Sequence, residues 1–330
     1  MQTLLFIDDD EGVRRSLRRA LRREAYETRT ASNGKEGIDF VSANSGKVAA
    51  VISDYKMPGL DGLETLTAIG AINPDITRII LTGYATMEAA IEATNSGIDG
   101  FLTKPFNNSE LRAKIHGIWV HKHLKQFVCE QVYEEINRSP AALSPRLQDV
   151  TVLFSDIRDF TSISRRLGPA ELVDYLNNHY FSPMGDIVYQ HQGTMDKHIG
   201  DSMMVVFGAP LAKPDDPLRA VRCATAMQKK AQRIDAQLQS SSGLRLQTGI
   251  GIARGKVFSG IMGSPRKKEY TSVGMAVNIA ARLQALAKGG EVLLNRATYQ
   301  AVASEVQAEP LPPAMVKGLE APIQVYRITP

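Results

Sequence analysis

Residues 3–10, TLLFIDDD, run a short apolar stretch straight into three carboxylates. The stretch reads as a strand with an acidic carboxyl end. Four more short runs follow, YETRT (26–30), VAAVIS (48–53), ITRIIL (76–81) and DGFLT (99–103), each followed by a helix-length amphipathic segment. Turn signals, PGLDG (58–62) and TNSGIDG (94–100), fall between them. Five such βα units predict an α/β domain over residues 1–120, with a doubly wound parallel sheet covered by helices on both faces. In its first helix, Arg14, Arg15, Arg18, Arg19, Arg22 and Arg23 form a basic face opposite a stripe of Val13, Leu17 and Leu21. A solvated outer face accounts for those arginines.

The full chain has 330 residues, enough for two domains. With 43% apolar and 22% charged residues it has a globular composition. No apolar run approaches the ~20 residues of a membrane span. The Met-Gln-Thr start leads directly into the first strand without a signal-peptide pattern, so a cytoplasmic location is expected. A net charge of +4 is too small to point to nucleic acid, and two distant cysteines form neither a zinc spacing nor a disulfide framework.

A helical stretch opens at Ser109 and runs to Arg138, and two prolines in SPAALSPRLQD (139–149) mark a linker. Residues 121–148 are expected to form a helical connection able to pair with its twin in a coiled coil. From residue 149 to 330, the strands VTVLFSD, MMVVFG, LQTGIGIA, KVFSGIMG, EVLLN and IQVYRI mix with helices in a less regular order. That order predicts an α+β domain with a partly antiparallel sheet.

In a parallel sheet, groups at the carboxyl ends of strands converge where the strand order switches. Asp8, Asp9 and Asp10 end the first strand and Asp54 the third, while Thr82 and Lys104 end the fourth and fifth. Clustered carboxylates favour a divalent cation such as Mg²⁺, and a hydroxyl and an ammonium beside them suit phosphoryl transfer onto an aspartate. The segments FIDDDE, SDYKMPGLDG, LTGYA and LTKPF resemble the response-regulator receiver domain. This resemblance implies that Asp54 is phosphorylated by a histidine kinase or phosphotransfer protein. It further implies that Asp8, Asp9, Asp54 and the Lys56 carbonyl hold Mg²⁺, that Thr82 and Lys104 contact the phosphoryl group, and that Phe101 is the aromatic switch.

In the second module, Asp156 and Asp201 each sit at the edge of an apolar strand, where burial is costly without a cation or a partner. The pattern alone leaves open a shared metal site and structural salt bridges. In YTSVGMAVNIAARL (270–283), Asn278 and Arg282 stand four apart on one helical face. FSDIRDFT, DKHIGDSMMVVFGAP, YTSVGMAVNIAARL and VKG, in that order, resemble the catalytic domain of class III nucleotidyl cyclases, whose fold is ferredoxin-like.

That family's pattern implies two Mg²⁺ per site, with Mn²⁺ as a substitute, on Asp156, Asp201 and the Ile157 carbonyl. It implies that Lys197 and Thr271 read the purine, Asn278 orients the ribose, Arg282 neutralises the α-phosphate, and Lys317 reaches the terminal phosphates. The two residue sets come from different protomers in this family, so a homodimer is implied. Lysine at 197, where guanylyl cyclases carry an acid, favours ATP. Thr271 stands where Asp is commoner in adenylyl forms and resembles a subclass that includes bicarbonate-responsive cyclases. A guanylyl cyclase and a nucleotide-binding module without turnover are the alternatives. A diguanylate cyclase would need a GG(D/E)EF turn, which the sequence lacks. The expected whole is an adenylyl cyclase whose linker helices shift when the receiver is phosphorylated.

Overall fold

The computed structural model of the chain describes residues 2–21, 26–83, 96–125, 127–138, 143–315 and 321–328. The chain divides into two compact units, Met1–Phe127 and Val128–Pro330.

The first unit contains β1 (Thr3–Ile7), α1 (Glu11–Leu21), β2 (Glu27–Ala31), α2 (Gly34–Asn44), β3 (Val48–Asp54), α3 (Gly62–Ile72), β4 (Thr77–Thr82), β5 (Gly100–Thr103) and α4 (Asn108–Lys125). The helix expected between β4 and β5 lies outside the described residues. The five strands pair in parallel in the order β2-β1-β3-β4-β5. Successive side chains of β1 feed two different cores. Leu5 and Ile7 pack with Val41, Leu66 and Ile69 of α2 and α3, whereas Leu4 and Phe6 pack with Leu17, Leu21, Leu111 and Ile115 of α1 and α4. Burial on both faces explains why this strand reads as a continuous apolar run.

The apolar stripe of α1 faces inward, and its arginines find local partners: Arg14 donates to the Asp8 carbonyl and Arg18 to Thr30 Oγ1 at 2.7 Å. Arg22 and Arg23 lie outside the described residues. The α3 helix begins with a capping box between Asp61 and Glu64. Gly62 is needed there because a Cβ would lie 2.1 Å from the Asp54 carbonyl oxygen, so the PGLDG turn lies against the acidic strand end. At α4, Asn107 rather than Ser109 caps the helix, accepting from the Glu110 amide at 2.8 Å.

The helical stretch expected to run on to Arg138 is two helices. The second, α5 (Glu130–Arg138), belongs to the second unit, where Val132 is buried and Gln131 accepts from the Thr194 hydroxyl. The rest of that unit is β6 (Arg146–Ile157), α6 (Phe160–Arg166), α7 (Pro169–Tyr175), a π-helical turn (Leu176–Phe181), α8 (Ser182–Gln190), β7 (Thr194–Ile199), β8 (Ser202–Phe207), α9 (Asp216–Ser241), β9 (Thr248–Ser264), β10 (Lys267–Val273), α10 (Met275–Leu286), β11 (Val292–Asn295), α11 (Arg296–Val302), β12 (Ala308–Ala314) and β13 (Ile323–Ile328).

Its eight-stranded sheet runs β12-β13-β11-β9-β6-β8-β7, with β10 paired to β9. Among the described residues, only the β9–β11 pairing of this sheet is parallel. The segments LQTGIGIA and KVFSGIMG prove to be one strand, β9, because β6 pairs with it without interruption from Arg146 to Ile157. Residues 146–148, expected to be part of the linker, therefore belong to the sheet. One face packs Leu153, Met203 and Val205 against α8 and α9, and the other packs Val152, Phe154 and Met204 against α10. On that second face α10 lies almost on the backbone of β9: a Cβ at Gly251 would stand 2.1 Å from the Gln284 amide and 2.3 Å from the Ala280 carbonyl. The small residues Ala276 and Ala280 are buried in this contact, which turns Asn278 and Arg282 outward.

Candidate functional site

At the sheet end of the first unit, Asp8 follows β1 and Asp54 ends the adjacent β3. Lys104, just past β5, places its ammonium against both carboxylates, 2.9 Å from Asp8 Oδ2 and in contact with Asp54 Oδ1. Burial raises the pKa of Asp8, opposed by the bond from Lys104. Burial also works against the Lys104 ammonium, but its bonds to Asp54 and Asp8 outweigh it and leave the pKa raised. The Lys56 amide donates to Asp54 Oδ2 at 3.1 Å, and the Lys104 amide donates to the Thr82 carbonyl at 2.7 Å. Thr82 is buried, and Phe101 is half-buried against the α2/α3 core.

The acidic triplet divides its work. Asp8 is buried in the pocket, Asp9 is exposed, and Asp10 accepts from the Gly12 and Val13 amides at the start of α1. Those two amide bonds hold its carboxyl below the usual range. Asp8, Asp54 and Lys104 thus meet in one pocket, while Asp10 is a helix cap.

In the second unit, Asp156 near the end of β6 and Asp201 in the β7–β8 turn line one open cavity of about 610 Å³ with Ile157, Arg158 and Gln247. Asp156 accepts from Arg158 at 2.8 Å and from the Ser202 hydroxyl. Burial raises the pKa of Asp201, and the negative charge of Asp156 raises it further. Lys197, Thr271, Asn278 and Arg282 are not among the residues lining this cavity.

Lys197 and Thr271 meet elsewhere, through a residue the sequence reading passed over. A register shift between Met195 and Lys197 leaves Asp196 as the extra residue of a bulge. Its side chain is only 2% exposed. Thr271 Oγ1 lies 3.0 Å from each Asp196 carboxylate oxygen, and the Ser272 amide donates to Oδ2 at 3.2 Å. Lys197 Nζ is 3.5 Å from Asp196 and 3.0 Å from Glu269. Asn278 and Arg282 are exposed on α10, with no side-chain hydrogen bond among the described residues. Lys317 lies outside the described residues.

Residues 143–330 match the family model of the adenylate and guanylate cyclase catalytic domain. The chain belongs to the adenylate and guanylate cyclase family. Residues 4–116 match the response regulator receiver domain, so the chain joins a receiver domain to a cyclase catalytic domain. Among relatives, Adenylate cyclase 1 of Rhizobium meliloti is 32% identical over 183 residues, which cover 55% of this chain and 27% of that protein. The chain thus spans about a quarter of that relative's length.

The crystal structure of the adenylyl cyclase CyaB from P. aeruginosa is similar with a TM-score of 0.55 and 32% identity, over 57% of this chain and 97% of its own. The guanylyl cyclase Cya2 is similar with a TM-score of 0.53 and 35% identity, over 56% of this chain and 93% of its own. Similarity to both kinds leaves the choice of base to the residues of this cyclase domain.

Divalent metal use accompanies the cyclase fold, and the carboxylate cavity fits it. Two neighbouring carboxylates whose charges oppose each other present oxygen donors suited to a hard cation. Among the described residues, no helix is long and apolar enough to cross a membrane.

Proposed function

We propose that the protein is an adenylyl cyclase, converting ATP to 3',5'-cyclic AMP and pyrophosphate at a homodimer interface, under control of Asp54 phosphorylation. The observation that carries the base assignment is the meeting of Lys197 and Thr271 at Asp196. An ammonium donates and a hydroxyl accepts, which complements adenine N1 and the 6-amino group. Asp156, Asp201 and the Ile157 carbonyl would hold divalent cations, Mg²⁺ or Mn²⁺. The chemistry such cations supply is acidification of the ribose 3'-hydroxyl and neutralisation of triphosphate charge.

Asn278 orients the ribose so that its 3'-oxygen lies in line with the α-phosphorus. That oxygen bonds to the α-phosphorus, its proton passes to solvent, and the bond to the bridging oxygen breaks to release pyrophosphate. Arg282 offsets the charge that grows on the α-phosphate oxygens, and Lys317 reaches the terminal phosphates. The carboxylates and the exposed Asn278–Arg282 face stand apart in the second unit, which supports completion of each site by a second copy.

In the receiver, Asp8, Asp9, Asp54 and the Lys56 carbonyl are a second candidate Mg²⁺ site. A histidine kinase or phosphotransfer protein supplies the phosphoryl group, Thr82 and Lys104 hold it, and Phe101 responds. Bicarbonate is the effector that position 271 suggests.

Purified protein incubated with Mg²⁺ or Mn²⁺ and either ATP or GTP, followed by chromatography of the products, tests the assignment. Cyclic AMP from ATP at a higher kcat/KM than cyclic GMP from GTP is expected; no cyclic AMP would refute it. The same assay in bicarbonate or chloride at constant pH tests the effector.

A further inference from the structure

A base-reading hydroxyl is ambiguous by itself, because threonine can donate to guanine O6 as readily as it accepts from the adenine amino group. What surrounds Thr271 removes that ambiguity. Its only polar hydrogen lies against Asp196, whose two oxygens are each 3.0 Å from Oγ1. The Ser272 amide and the Lys197 ammonium approach the same carboxylate at 3.2 and 3.5 Å. Burial raises the Asp196 pKa, opposed by the bonds from Thr271 and Ser272 and the charge of Lys197; all three neighbours are donors aimed at its two oxygens, so the carboxylate acts here as an acceptor.

We infer that Asp196 is the positioning residue that sets base selectivity: by taking the proton of Thr271, it leaves that hydroxyl only lone pairs to offer the base. A hydroxyl so committed can accept from the 6-amino group of adenine but meets guanine O6 with lone pair against lone pair. Asp196 simultaneously keeps a negative charge beside Lys197, so the adjacent group stays an ammonium, which suits adenine N1 and opposes the N1 hydrogen of guanine. The bulge in β7 makes the arrangement possible, since it sets Asp196 and Lys197 together opposite one stretch of β8. The inference rests on the adenylyl reading, and it adds the residue through which Thr271 and Lys197 act.

The test is the ratio of kcat/KM for ATP to that for GTP. This ratio does not depend on how much of a preparation is folded. In Asp196→Asn the Ser272 amide takes the one remaining acceptor oxygen, which turns the NH2 group toward Thr271, so that it donates there and frees the threonine proton toward the base. The preference for ATP should fall at least about tenfold. Asp196→Glu keeps an acceptor-only group and should retain most of the preference. In a Thr271→Val background, Asp196→Asn should lower the ratio by a clearly smaller factor than it does in wild type, since the hydroxyl route is gone and only the route through Lys197 remains.

A residue that merely supports the fold would lower both rates together. A ratio in Asp196→Asn within about twofold of wild type would therefore overturn the inference while leaving the adenylyl reading intact. If Asp196→Asn gives no folded protein, Asp196→Ser, whose hydroxyl can also donate to Thr271, takes its place with the same expected loss and the same overturning result. Wild-type protein that makes no cyclic AMP, or prefers GTP, fails the adenylyl reading itself, and that outcome is seen before any variant is made.

Discussion

The hydroxyl of Tyr180, wholly buried in the π-helical turn, donates to Ser155 Oγ at 2.9 Å, one residue before Asp156 on β6. Burial pushes the phenol pKa far up, so it remains a donor. The bond ties the helical layer to the strand that carries Asp156 of the carboxylate cavity, and π-turns are frequent at functional sites.

Tyr180→Phe keeps the ring and removes this bond, leaving the buried Ser155 hydroxyl short of a partner. A loss of about 1 kcal/mol is expected, which lowers Tm by roughly 2–4 °C for a unit of this size. Turnover per folded enzyme should change less than about threefold, because the phenol reaches Asp156 only through Ser155. Calorimetry with initial-rate assays separates the two effects; an unaltered Tm would show that the bond contributes nothing.

In the receiver, Lys104 bridges Asp8 and Asp54, so it meets any phosphoryl group placed on Asp54. Acetyl phosphate with Mg²⁺ should label the wild-type protein and leave Asp54→Asn unlabelled. Lys104→Met should reduce the labelled fraction at least about tenfold by removing the cation that faces the developing charge. Intact-protein mass spectrometry reads both, and equal labelling of Asp54→Asn would move the phosphoacceptor elsewhere.

Asp235, which does not line the carboxylate cavity, supplies a pH-dependent contribution to stability. Burial acts to raise its pKa, but bonds from Arg245 at 3.0 and 3.2 Å, the Leu246 amide at 2.7 Å and Gln239 at 2.8 Å outweigh it and hold the carboxyl below its ordinary value. A depressed folded-state pKa means that stabilisation is fully present above the unfolded value and is lost as pH falls through the folded one. Asp235→Asn should therefore be less stable than wild type by about 1–3 kcal/mol at pH 7, with the gap closing below the ordinary carboxylate value of 3.8. Urea unfolding of the two proteins across that range checks both the size and the sign.

The positions of these groups differ in how plainly the sequence reveals them. The receiver strands are buried on both faces, so their apolar runs and acidic ends could be read directly, and helical spacing alone placed Asn278 and Arg282 on one face. Elsewhere local composition concealed long-range pairing. Arg254 interrupts an apolar run, yet β9 continues through it because β6 pairs on one side and Asn295 and Thr298 accept its amide. Pro310, Pro312 and Pro313 argue against a strand, yet β12 is an edge strand and pairs with β13 alone. Asp196 was hidden by its bulge, since alternation along β7 assigns it and Lys197 to opposite faces. The available signal was an acid immediately before the lysine, in a strand that ends near a second acid.

The separation of the carboxylate cavity from the Asn278–Arg282 face leads to a test of assembly. If each active site takes Asp156 and Asp201 from one protomer and Asn278 and Arg282 from its partner, then Asp156→Asn and Arg282→Ala should each reduce activity at least about a hundredfold as homodimers. Mixed in equal amounts under conditions of exchange, half the dimers carry one variant of each kind. In each such dimer both defects fall in the same site and leave the other whole. Activity should then recover to about a quarter of wild type by site counting. Sites built within single chains would show no recovery at any mixing ratio, so the measured cyclic AMP rate of the mixture decides whether the second copy is part of the site.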